Sequence, residues 1–378
     1  MGTYLYVSCR NEAQNARGIG NIQFNLETGE MSEPLLQEET LYMGGLAYDR
    51  PRRVLYATNM VEKHPDYPVG GGGLVWAYDV DQATGILTRK SRADACTPNP
   101  CALTVSEDGK FLVCVSNSGF GGVTKVVPGE DGMYHPHVEY DDAFVGVFQL
   151  NEEGEILGLK EIHKHDSFRV RSAELHARPH SVKRSPRLPL MACSDKGDAH
   201  LYMYQLDEEG RPELLSEPFA DTTGTAPGCL CFHPEKNLLY MNHERDFRIS
   251  SFVYASDGSL TPLGETYVTG EGMNHAVGQR GMCLSKDGKH LYDVVMGNDL
   301  VAVFTVEPDG RLTQQGLVKV EGKGAMGAEL SPNGRFLVVT CFESGDVLCY
   351  RLSETGSPTK LVSHVELPGA FYPIFANV

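Results

Sequence analysis

Two side chains able to move a proton stand at the edges of apolar runs: His180, within RPHSV, and Glu244, which ends LLYMNHE. An imidazole titrating near neutrality beside a carboxylate makes a general base or acid. His176, His243, His275 and Glu329 occupy similar places. Together with His180 and Glu244 they offer a donor set suited to a divalent ion such as Mn, Zn or Fe. Ligands gathered from separate segments leave no short motif, and neither H-E-x-x-H nor a paired Cys–His spacing occurs. The other role open to these side chains is hydrogen bonding within loops or to a substrate. Strand alternation turns His243 away from Glu244 unless the backbone bulges. The Gly-rich PVGGGGLVWAYD at 68–79 lacks the Gly-Lys-Ser/Thr ending of a phosphate loop and reads as a connection between strands. The 10 cysteines form no C-x-x-C pair, and Cys229 and Cys231 fall on one face of a strand. They read as reduced, mostly core thiols.

The elements that must position these groups are strands. Helical periodicity is nearly absent, while short apolar runs and tight-turn signals recur. The recurring unit reads GGLAYDRPRRVLYATN from Gly44, NPCALTVSEDGKFLVCVSN from Asn99 and RPHSVKRSPRLPLMACSD from Arg178. It returns as APGCLCFHPEKNLLYMNHE from Ala226, QRGMCLSKDGKHLYDVVM from Gln279 and AMGAELSPNGRFLVVTCF from Ala325. Glu-Asp-Gly, Lys-Asp-Gly and Pro-Asn-Gly between apolar runs are hairpin signals. Corresponding positions (Gly44, Cys101, His180, Gly228, Arg280, Met326) lie 57, 79, 48, 52 and 46 residues apart. Four-stranded propeller blades repeat at about 40–50 residues. The long interval carries insertions at 119–142 and 162–177, with HPHVEYDD at 135–142 suited to a lid, a subunit contact or a plain surface insertion.

Six units leave both chain ends unpaired. TYLYVSCR and GNIQFNLETGEMSEP supply the second, third and fourth strands of a blade, and GAFYPIFANV supplies a first strand. Joined, they complete a seventh blade and remove the exposed sheet edges. The expected fold is therefore all-β, a single seven-bladed propeller over residues 1–378, closed by its N- and C-terminal strands. A net charge of −17 argues against nucleic acid or an anionic membrane as partner. No run approaches a membrane span, and no secretory pattern opens the chain, so the expected location is the cytoplasm.

The segments YLYVSCR, RPHSV, GTAPGCLCFHP at 224–234, YMNHE and GRFLVV at 334–339, in this order and spacing, resemble the lactonase family of seven-bladed propellers. That family includes propeller-type 6-phosphogluconolactonases and carboxymuconate-lactonizing enzymes. The resemblance implies a site where inner strands converge on the central channel, with a His, a Glu and arginines that hold an anionic substrate. His180 and Glu244 match the first two. Gly228, Met296 and Met326 stand where relatives place arginines, and Arg280, one blade away, is the candidate replacement.

Two classes of function follow. The first is an enzyme opening or closing a small cyclic metabolite, with His180 as general acid–base, Glu244 in support and Arg280 on developing oxygen charge. Loss of the arginines favours a substrate less anionic than a sugar phosphate. A metal-dependent hydrolase of a neutral lactone or cyclic ketone is the variant within that class. The second is a non-catalytic propeller binding a protein partner on one face.

Overall fold

Alternating apolar residues and Gly-centred hairpins build seven antiparallel sheets around a central channel, six of four strands and one whose outer strand is split into Pro212–Leu214 and Phe219–Ala220. The computed structural model describes residues 2–67, 69–119, 121–165, 176–221, 223, 225–274 and 278–377. Blade 1 orders its strands Ala370–Asn377, Thr3–Asn11, Ala16–Gln23 and Leu35–Gln37 from the channel outward, so the C-terminal strand is innermost as expected. Tyr4 faces Ala376 and Tyr6 faces Ile374 across this closure. Blades 2, 3 and 4 begin with the inner strands Met43–Asp49, Pro100–Val105 and Pro179–Arg184. Blades 5, 6 and 7 begin with Pro227–Phe232, Gln279–Leu284 and Ala325–Leu330. Each inner strand touches the inner strands on either side, and Ala370–Asn377 closes the ring between blades 7 and 2. Among the described residues there is no helix, hence none long and apolar enough to cross a membrane.

Blades pack through apolar side chains on both sheet faces, and a repeated polar bolt fixes their spacing. A tyrosine on the second strand of one blade donates to the carbonyl of a hairpin glycine in the next. The pairs are Tyr6 to Gly85 at 2.6 Å, Tyr56 to Gly154 at 2.8 Å, Tyr240 to Gly310 at 3.0 Å and Tyr292 to Gly356 at 2.7 Å. All four tyrosines are fully buried, so each hydroxyl needs such a partner. The glycines adopt φ of 68–92°, a region costly for other residues.

Every inner strand carries a β-bulge near its start, one extra residue against the second strand. The shifts fall at Met43/Leu46, Pro100/Ala102, Pro179/Ser181, Pro227/Leu230, Gln279/Met282 and Ala325/Gly327, with the matching one in blade 1 between Ala370 and Pro373. A second-strand side chain often plugs the gap. Thr58 Oγ1 accepts from Gly45 N, Asn242 Oδ1 from Cys229 N, Thr340 Oγ1 from Gly327 N and Ser8 Oγ from Tyr372 N, at 2.7–3.1 Å. The 119–142 insertion forms a separate hairpin, Val123–Pro128 with Tyr134–Glu139, every residue of which is exposed.

Candidate functional site

The extra residue of the bulge in blade 4 is His180 itself, and Arg280 lies in the bulge of blade 6. A bulge turns its unpaired residue out of strict alternation, here toward the channel mouth. Glu244 comes from a second repeated position, the residue just after each second strand. There a backbone N–H reaches back to the start of the same blade: Met60 to Tyr42, Asn117 to Asn99, Lys196 to Arg178, Glu244 to Ala226, Met296 to Gly278 and Phe342 to Gly324. This ring forms the mouth, polar on blades 3–5 and apolar on blades 6, 7 and 2. Met60, Met326 and Phe371 pack together, with Met296, Phe342 and Tyr372 against them.

Four charged or titratable groups converge at the mouth, three from blades 4 and 5 and Arg280 from the inner strand of blade 6. His180 Nε2 lies 3.0 Å from Glu244 Oε1, while Arg280 Nη1 and Lys196 Nζ approach Oε2 at 2.5 and 3.6 Å. Burial alone would raise the Glu244 pKa, but Lys196, His180 and Arg280 outweigh it and hold the carboxyl well below the usual range. Burial and then Lys196 push His180 below its ordinary 6.5, against the pull of Glu244. An ionised carboxylate can only accept, so a neutral His180 presents Nε2–H to it and keeps its lone pair on Nδ1. That Nδ1 is buried and has no hydrogen-bond partner among the described residues. Both pKa directions therefore favour a neutral base oriented by an anion, the arrangement that general-base chemistry requires.

Lys196 escaped the sequence reading. Its signal was present in the repeat: superposing MACSDKGDAHLY on LYMNHERDFRIS puts Lys196 at the position of Glu244. Asp195 fixes the Lys196 turn. Its Oδ1 accepts from Arg178 N, Gly197 N and Asp198 N at 2.6–3.1 Å, and its Oδ2 pairs with buried His165 at 2.7 Å. His165, Asp195 and Asp198 are near enough to share an ion. However, His165 also bonds Tyr204 through Nε2 at 2.9 Å, and Tyr202 donates to Asp198. The donors are already engaged, and the cluster fits a structural network better than a metal site.

The six residues considered as metal donors are not gathered together. His180 and Glu244 meet. The His176 ring lies 2.9 and 3.1 Å from the Ala177 and Gly119 carbonyls and stacks on Tyr140, tying the hairpin base to blade 4. His243 points into blade 5, buried among Thr225, Ser250, Arg248 and Asp221. Glu329 lies deeper in the channel, and His275 is outside the described residues. The pair that does meet has both oxygens of Glu244 facing cationic or N–H groups, an environment that opposes a divalent cation.

Below the mouth the channel holds a cavity of about 140 Å³, lined by His180, Lys183, Cys229, Met282, Glu329 and Tyr372 among others. A larger cleft of about 350 Å³ sits between blades 3 and 4, lined by Ser106, Glu107, Phe111, Arg184 and Leu190, with no His and no thiol. Position 228 has no room for a larger side chain. A Cβ there would come within 2.6 Å of Asn242 Oδ1, the atom that plugs the blade 5 bulge.

Comparison with known proteins identifies the family and the fold. The model of the family described as "Lactonase, 7-bladed beta-propeller" matches residues 4–375. A 6-phosphogluconolactonase of Bacillus subtilis (strain 168) is 24% identical over 362 residues, covering 95% of this chain and 93% of that protein. The structure of a periplasmic gluconolactonase from Pseudomonas aeruginosa superposes with a TM-score of 0.85 at 22% identity, over 99% of each chain. A protein from Lactobacillus plantarum does so with a TM-score of 0.81 at 19% identity, over 100% of each.

Proposed function

The chain belongs to the lactonase family of seven-bladed β-propellers, and from that membership and the channel geometry we propose that it opens the ring of a small lactone by adding water. The observation that carries this reading is the His180–Glu244 contact, which leaves the buried Nδ1 of His180 without a partner on a residue that lines the cavity. Nδ1 takes a proton from water as the water oxygen bonds to the ester carbonyl carbon. The N–H groups of Arg280 not engaged by Glu244 offset the charge on the tetrahedral oxygen. Collapse breaks the ring C–O bond, and the proton on His180 passes to the departing alkoxide, giving an open-chain hydroxy acid. Glu244 stays ionised throughout and stabilises the imidazolium.

The size and lining of the site bear on the substrate. A cavity near 140 Å³ is smaller than the 300–1,000 Å³ that holds drug-sized ligands, so one small ring fits. The apolar half of the mouth, with Met296 and Met326 in it, favours a neutral or singly charged ring. No step is routed through a metal, because both oxygens of Glu244 already face cationic or N–H groups.

The test compares kcat/KM on a panel of lactones, including a phosphorylated sugar lactone and its unphosphorylated counterpart. Replacing His180→Gln is expected to lower turnover by about 10²–10⁴ with an unchanged circular dichroism spectrum. Wild-type turnover in that variant overturns the assignment of the base. A hundredfold preference for the phosphorylated lactone overturns the substrate charge. Activity lost to chelator and restored by Mn²⁺ or Zn²⁺ overturns the metal-free route.

A further inference from the structure

Glu329 and Lys183 occupy matching depths on two inner strands. Each lies three residues beyond the bulge positions held by Met326 and His180, about 10 Å further along the channel at 3.3 Å per residue. Both line the same cavity as His180 and Tyr372. The Glu329 carboxylate makes no hydrogen bond and no ion pair among the described residues; Lys183 and Arg50 influence its charge without pairing with it. Burial pushes it up to about 7 against those two cations. Around it the wall is poor in donors: Cys231 gives its S–H to Met282 O at 3.1 Å, and Cys283 is only partly exposed. Glu329 is half-buried in the cavity wall and Lys183 is exposed, so water meets both in the free protein, and nothing in the fold is held by the carboxyl. Such a group is free to be completed by a ligand that enters the cavity.

One functional group satisfies both side chains at once. A hydroxyl donates to a carboxylate oxygen and accepts from an ammonium. A phosphate or carboxylate in the same place would force Glu329 to hold its proton, and an alkyl group would leave both side chains unsatisfied. We propose that Glu329 and Lys183 form a second subsite that receives a hydroxyl at the end of the substrate ring remote from the ester and turns away anionic substituents there. The proposal rests on the ring-opening reading of the His180 end. It makes Glu329 a specificity-determining residue.

The experiment uses three δ-lactones: unsubstituted, hydroxylated at a carbon remote from the ester, and phosphorylated at that hydroxyl. Wild-type protein is expected to favour the hydroxylated ring. Glu329→Leu is expected to lose about tenfold to a hundredfold in kcat/KM on that ring, the scale of one hydrogen bond to a charged group, and less than twofold on the unsubstituted ring. Glu329→Gln, which keeps the shape should the leucine variant fail to fold, is expected to raise turnover of the phosphorylated ring relative to wild type. Equal losses on the first two rings, or no loss on either, overturn the subsite. If wild-type protein opens none of the three, the ring-opening reading fails separately. Calorimetric titration with the hydroxylated lactam then still reads the subsite: weaker binding to Glu329→Leu than to wild type supports it, and equal or absent binding overturns it.

Discussion

Neutral His180 and ionised Glu244 are held in those states by their neighbours, which makes the pH profile diagnostic. Burial and Lys196 lower the His180 pKa, so the acid limb of kcat/KM is expected below pH 6.5, with activity lost as pH falls through that limb. Lys196→Met removes the larger of the two cationic influences on His180. The limb should then move to higher pH, because protonation of the imidazole becomes easier; a limb that stays in place would show that Lys196 does not tune the base. The residue types were legible from sequence, since an imidazole and a carboxylate at strand ends invite pairing. The Lys196 contact was not, because a lysine in the turn SDKG reads locally as a solvated loop residue. Only the blade-to-blade equivalence of Lys196 and Glu244 turns it inward. His243 illustrates the reverse: alternation faced it away from Glu244, and its position inside blade 5 follows that rule.

The strand and hairpin pattern was readable because Asp-Gly and Asn-Gly turns punctuate runs of β-branched and aromatic residues at a regular spacing. The bulges were not, since one extra residue in an inner strand changes no composition and breaks no turn signal. Yet the bulge is what sends His180 into the channel, so the site's orientation escaped a reading based on period two. The tyrosine bolts are likewise invisible as pairs: Tyr240 and Gly310 are 70 residues apart, and each looks ordinary in its own segment. They carry a measurable share of stability. Tyr240→Phe keeps the ring and removes the donor to a buried carbonyl, a change expected to cost about 1–3 kcal/mol in chemical denaturation. Catalysis should be untouched, because neither Tyr240 nor Gly310 lines the channel cavity. A variant as stable as wild type would show that the bolt is ornamental.

At the scale of the molecule, the seven inner strands form a closed ring in which Ala370–Asn377 is one member. Deleting residues 368–378 should expose the inner edge of Thr3–Asn11 and sharply lower soluble yield and melting temperature; an unchanged melting temperature would refute closure as a source of stability. Ring architecture also explains how much of the site was legible. Repeat spacing locates which blades face the mouth, whereas which side of the mouth is polar depends on single residues in each blade. The same closure has a cost in time. Ser8 and Tyr372 bond across the seam although 364 residues separate them. At 5–20 residues per second, a ribosome needs roughly 20–70 s to make the second after the first. Throughout that interval the N-terminal strand has its inner edge unmet. A nascent chain of this design therefore depends, before it is finished, on whatever shields that edge in the cell, and slowing translation near its end lengthens the exposure rather than relieving it.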